Sequence, residues 1–86
     1  MGKNYYPNGG LYEGSFVDGV PHGYGRFYMP SGDYYEGEVK FGRANGFGTY
    51  ETDNSTYKGG FKDNVKHGEG EEKGLTFFFR GEYEYG

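Results

Sequence analysis

Apolar and polar positions alternate along this chain in short runs, and most of the apolar ones are aromatic. In Tyr12-Glu13-Gly14-Ser15-Phe16-Val17, positions 12, 14 and 16 fall on one side of an extended strand, because successive side chains point to opposite faces. Tyr24-Gly25-Arg26-Phe27-Tyr28-Met29 reads the same way and is equally rich in aromatic strand formers. Between the two runs, Asp18-Gly19-Val20-Pro21-His22-Gly23 carries glycines free to take positive φ, and Pro30-Ser31-Gly32-Asp33 makes a second turn. The pattern predicts a β-hairpin.

The hairpin recurs. A shift of 23 residues lays Tyr12-Glu13-Gly14 on Tyr35-Glu36-Gly37, Gly19 on Gly42, Gly23 on Gly46 and Gly25 on Gly48. A further 22 carries Tyr35 to Tyr57, Gly37 to Gly59 and Val39 to Phe61, and another 22 carries Tyr57 to Phe79 and Gly59 to Gly81. His22-Gly23-Tyr24-Gly25 and His67-Gly68-Glu69-Gly70 are therefore one position of a repeated unit, with Asn45-Gly46-Phe47-Gly48 midway. We expect a single all-β domain over residues 1–86: a partial unit at 2–11, units at 12–34, 35–56 and 57–78, and a partial unit at 79–86. Successive hairpins should continue into an elongated, single-layer antiparallel meander.

The paired glycines acquire a physical role in such a sheet. A ring can lie flat over a neighbouring strand only where that strand has no side chain. Gly23 and Gly25 are expected beside Tyr12 and Phe16, and Gly46 and Gly48 beside Tyr35 and Val39. Each covered ring hides on the order of 150–250 Å², an upper bound of several kcal/mol at roughly 25 cal/mol per Å². Composition makes this arrangement necessary, since eleven Tyr and eight Phe stand against two Leu, four Val and no Ile or Trp.

The recurring Tyr-x-Gly-x-(aromatic)-x-x-Gly-x-x-(His/Asn)-Gly-x-Gly resembles the MORN (membrane occupation and recognition nexus) repeat. Tyr12 to Gly25 fits it well, Tyr35 to Gly48 nearly so, and Tyr57 to Gly70 with Asn64 in place of a turn glycine. The likeness extends to small proteins made almost entirely of such repeats. It implies a twisted ribbon with a concave groove, acting as a cytoplasmic scaffold or docking platform in cytoskeletal or ciliary settings; some relatives have been linked to phosphoinositides. Many units carry tryptophan where this chain has Phe16, Val39 and Phe61.

Other chemistry fits poorly. Gly23-Tyr24-Gly25 never completes G-x-G-x-x-G and no helix follows it to hold a phosphate. His22 and His67 lie four strands apart, roughly 19 Å at about 4.8 Å per strand, too far to share a metal ion. There is no cysteine for a thiolate site. Carboxylates fall at turns (Asp18, Asp33, Asp53, Asp63) and on a strand (Glu69, Glu71, Glu72), which reads as solvated surface rather than a catalytic pair. Asn54-Ser55-Thr56 reads as a turn rather than a glycosylation site. Aromatic base stacking needs a basic groove, whereas the net charge is −4, so nucleic acid is not expected. No apolar run approaches the length of a membrane span.

The expected function is thus a non-enzymatic protein-binding module with no cofactor, metal or catalytic residue. Its groove would hold a peptide or amphipathic helix through Tyr12, Phe16, Tyr35, Tyr57 and Phe61, with Phe27, Tyr28 and Tyr50 from the return strands. The open edge at Phe79 to Tyr83 is expected to support a weak homodimer or lateral docking into a larger assembly. The rival reading is a membrane-surface module in which Lys40, Arg43, Lys58, Lys62 and Lys66 gather on one side; net acidity weighs against it. Inside Tyr-x-Gly the middle residue is Glu13, Glu36, Lys58 and then Arg80, so one face is expected to run from acidic to basic along the array.

Overall fold

A computed structural model describes residues 2–74 and 78–83. The ends of the units expected at 57–78 and 79–86 therefore include residues outside that set, 75–77 and 84–86. The described residues form β1 (Gly2–Tyr5), β2 (Leu11–Val17), β3 (Val20–Tyr28), β4 (Tyr34–Lys40), β5 (Arg43–Glu51), β6 (Ser55–Lys62), β7 (Val65–Gly74) and β8 (Phe78–Tyr83). Each strand pairs antiparallel with the next, giving one open sheet in the order β1 to β8. Its extents are 39 × 23 × 18 Å, the elongated meander that the repeat predicts.

Register explains the spacing of 22 to 23. Gly2, Gly14, Gly25, Gly37, Gly48, Gly59, Gly70 and Gly81 pair in succession, so one row of bare backbone crosses all eight strands. Tyr12, Tyr35 and Tyr57 lay their rings along this row. A Cβ on Gly25 would overlap the Tyr12 ring, one on Gly48 the Tyr35 ring and one on Gly70 the Tyr57 ring. Covered in this way, the three tyrosines are 0–2% exposed. Their rings join those of Phe16, Phe27, Phe61, Tyr83 and Phe79 in one chain with centroids 4.7–6.3 Å apart. Val39 and Ala44 complete the buried core. Aromatic edges and faces do here what aliphatic volume does in an ordinary small domain.

The first glycine of each pair has a different task. Between Gly14↔Gly25 and Phe16↔Pro21, only Ser15 on β2 faces His22, Gly23 and Tyr24 on β3, so the return strand bulges. The same shift falls between Gly37 and Val39 and between Gly59 and Phe61. Gly23, Gly46 and Gly68 take φ of +113°, +109° and +79°, which a side chain would resist. Gly23 consequently sits against Ser15 and Gly46 against the Glu38 carboxylate, not against the rings of Tyr12 or Phe16 or the side chain of Val39; only Gly25 and Gly48 carry rings as expected. Ser15 ties its bulge together, its Oγ donating to the His22 carbonyl (2.9 Å) and accepting from the Tyr24 N–H (3.0 Å). The residue facing each bulge also offers its carbonyl to the core tyrosine three positions earlier. Tyr12 donates to Ser15 (2.9 Å), Tyr35 to Glu38 (2.6 Å) and Tyr57 to Gly60 (2.9 Å). Every buried phenol is satisfied by the irregularity its own unit creates.

Candidate docking groove

The ring-bearing face holds an open cavity of about 500 Å³. Phe27, Tyr35, Tyr50 and Phe61 line it from the strands. Tyr6 and Met29, from the loops that follow β1 and β3, close one end, and Ala44 and Val65, beside the opposite hairpin tips, close the other. These loops hold their shape by local bonds. Tyr6 N–H donates to the Gly10 carbonyl (2.9 Å) and Met29 N–H to the Asp33 carbonyl (2.9 Å).

Several polar groups around the cavity are engaged with the protein itself. Tyr50 donates to Asp33 (3.1 Å), Asn64 Oδ1 accepts from the Ala44 N–H (2.8 Å), and Asn8 Oδ1 accepts from the Gly10 N–H (3.0 Å). Lys66 Nζ reaches Glu72 at 3.0 Å and lies 5.3 Å from the Tyr57 ring centroid. Burial raises the phenol pKa of Tyr35, helped by the Glu38 carboxylate. Burial likewise raises that of Tyr50, helped by its bond to Asp33. Both stay neutral at physiological pH, so these tyrosines add aromatic surface rather than charge, and the charge beside the cavity is the Lys66–Glu72 pair.

Of the expected contact residues, the structure brings the rings of Phe27, Tyr35, Tyr50 and Phe61 to the cavity; Tyr28 borders it, but its ring lies on the opposite face, stacked on Tyr34 at 5.7 Å. Tyr12, Tyr35 and Tyr57 are all buried beneath their neighbours and present almost no surface, so they support the groove rather than touch an occupant, Tyr35 directly beneath its floor; Phe16 packs edge-on against Tyr12 outside it. Sequence reasoning missed Tyr6, Met29, Ala44, Val65 and Lys66. Only the unit period could have found Tyr6 and Met29, which sit 23 residues apart just before the equivalent prolines Pro7 and Pro30.

The opposite face is organised by charge. Lys3, Glu13, Arg26, Glu36, Thr49, Lys58, Glu71 and Arg80 pair in succession across the sheet. Ion pairs join Lys3 to Glu13 (3.9 Å), Arg26 to Glu36 (3.3 Å) and Arg80 to Glu71. The expected acid-to-base gradient is therefore absent, because the return strand places an opposite charge beside Glu13, Glu36 and Arg80 and sets Glu71 opposite Lys58. Nor do the five proposed lipid-binding cations converge. Lys58 stands in this row and Lys66 beside the groove, while Lys40, Arg43 and Lys62 stand at hairpin tips. His22 and His67 do not share a site; His22 Nδ1 accepts from the Phe41 N–H at 3.3 Å. Among the described residues no three potential metal ligands cluster, and no helix is long and apolar enough to cross a membrane.

An open meander of like hairpins, threaded by a glycine row and covered by stacked rings on one face, defines a repeat ribbon. Residues 12–34, 35–56 and 57–74 match the MORN repeat, and the chain belongs to that family. MORN repeat proteins are generally non-catalytic. No curated protein matches this chain.

Proposed function

We propose that the ring-face groove docks a segment of another protein, and that the chain is a non-enzymatic scaffold or adaptor in a cytoplasmic assembly of cytoskeletal or ciliary type. The observation that supports this most is an open, mainly apolar cavity at which the Tyr50 hydroxyl and the side-chain oxygens of Asn8 and Asn64 are already hydrogen-bonded internally. Such a surface gains by covering apolar area and loses less polar hydration than one whose polar groups are all unpaired. Its size is within the range of known ligand clefts, about 300–1,000 Å³. An amphipathic helix, roughly 10 Å across, suits a trough one or two hairpins wide.

The test is peptide selection from a random display library on the immobilised chain, followed by anisotropy measurements on the winners. Met29→Glu and Val65→Glu, each placing a carboxylate at the groove, should abolish binding while circular dichroism stays native. Glu13→Lys on the opposite face should leave it intact. Winners indifferent to both groove changes would sink the reading. The outer edge of β8, unpaired among the described residues and carrying exposed Phe78 and Phe79, is the proposed place for weak self-association or lateral docking. A mass by light scattering that stays monomeric over a concentration series would count against self-association there.

A further inference from the structure

The hairpin tips between β2 and β3, β4 and β5, and β6 and β7 line up along one side of the meander. All three turn through two residues at positive φ: Asp18-Gly19 (52°, 77°), Phe41-Gly42 (50°, 79°) and Asp63-Asn64 (49°, 72°). Left-handed backbone suits Gly, Asn and Asp and penalises a bulky side chain. Two tips respect this; the middle one places phenylalanine there. Phe41 is also 78% exposed, more than any other large apolar residue described, with its ring edge-on to His22 at 5.1 Å.

The same four residues break a second local preference. Lys40 and Arg43 stand directly opposite each other, a like-charge pair, where the equivalent positions hold Val17↔Val20 and Lys62↔Val65. Arg43 reaches Asp63 at 3.9 Å, and Lys40 has no ion-pair partner among the described residues. Two departures within one turn, at a place where sister units show compliant solutions, are what a binding function leaves behind in a foldable sequence. The turn also borders the groove, since Gly42 lines the cavity.

We infer that Lys40-Phe41-Gly42-Arg43 is the specificity-determining end of the groove, and that the docked segment is acidic and amphipathic. This rests on the groove reading above. The segment's apolar face covers the groove floor. Where the segment passes over the tip at Gly42, one apolar side chain meets Phe41 and its carboxylates meet Lys40 and Arg43, which stand on the opposite side of the sheet from Val39 and Ala44. A flat anionic membrane is the poorer occupant, because it would meet the tips bearing Asp18 and Asp63 on either side of Phe41 at the same time. A narrow peptide meets the middle tip alone.

The experiment uses peptides selected from a random display library on the full chain, then measured by anisotropy against four proteins: the parent, Phe41→Asn, the Lys40→Glu/Arg43→Glu double variant and Met29→Glu. Winners should be rich in Asp and Glu beside apolar residues, and Phe41→Asn should weaken them about tenfold or more, as loss of an aromatic anchor does. Charge reversal should weaken them similarly and remove the salt dependence. Phe41→Asn should melt no lower than the parent, because asparagine suits the left-handed turn, so loss of binding there is not loss of fold. Winners lost with Met29→Glu but indifferent to the turn variants would overturn this inference and leave the groove standing. An absence of winners, or winners blind to all three variants, would bring down the groove reading as well. Phe41-dependent flotation with phosphatidylserine vesicles, without acidic peptide binding, would assign the turn to lipid and overturn the inference.

Discussion

Replacing Gly48 by alanine tests the ring-on-glycine architecture with a single methyl group. The position is free of positive φ, so no backbone strain confuses the result, and the three nearest atoms to the new Cβ are all distal atoms of the Tyr35 ring. The ring cannot stay where it is. It is 2% exposed, packs edge-on against Phe61 at 4.9 Å and donates to the Glu38 carbonyl. Expelling a ring of roughly 150–250 Å² forfeits at most about 4–6 kcal/mol, whereas overpacking relieved by small shifts typically costs about 1–3. We expect about 3 kcal/mol, a large part of the roughly 4–13 kcal/mol available to a domain of this length. That corresponds to a melting point about 12–24 °C lower. The assay is urea unfolding in a double-mutant cycle with Tyr35→Leu, which keeps an apolar side chain but lacks the distal atoms that collide. In that background Gly48→Ala should be nearly neutral, leaving a coupling energy of about 3 kcal/mol, the upper range for residues in contact. Equal destabilisation in both backgrounds, or less than about 1 kcal/mol in the parent, would refute the reasoning.

Three further expectations follow from the same geometry. Burial raises the phenol pKa of Tyr12, Tyr35 and Tyr57 above the ordinary value near 10, so their contribution to stability is complete below that pH and is lost as pH rises through the folded values. Phenolate absorbance and circular dichroism followed together should show the last tyrosines ionising as the sheet unfolds; full ionisation near pH 10 with an intact sheet would contradict this. Ser15→Ala removes the hydroxyl that bridges the first bulge and should cost about 1 kcal/mol in a urea titration. Gly60→Ala should be worse, about 2 kcal/mol or more, because its Cβ would run into the His67 backbone carbonyl; the reverse order would argue against the bulge geometry.

Much of the fold was legible because the repeat is written twice, in the aromatic positions and in the glycines. The hairpin arms, the meander and the rings over Gly25 and Gly48 all follow from periods of two and of 22 to 23. What escaped was the difference between the two glycines of each pair. They look equivalent in sequence, and only register shows that Gly23 and Gly46 shape a bulge while Gly25 and Gly48 carry rings. A trace was present, since β3 spans nine residues against seven in β2, room for an irregularity on the return strand. The charge pattern differs from the expectation for a related reason: Glu13 and Glu36 occupy equivalent unit positions in sequence, while Arg26 lies between them in space. Which rings are reachable depends on how the sheet curves, and curvature has no signature at single positions. Hence Tyr12 and Tyr35, identical in motif and equally covered, part company only in place, Tyr35 lying beneath the groove and Tyr12 away from it.

The most direct measurement is amide NMR of the labelled chain titrated with a library-selected peptide. Shifts concentrated at Met29, Ala44, Tyr50, Asn64 and Val65, with Lys3, Arg26 and Lys58 on the opposite face unmoved, are what a ring-face docking groove requires. Shifts gathered on the charged face instead, with the groove residues silent, would contradict it.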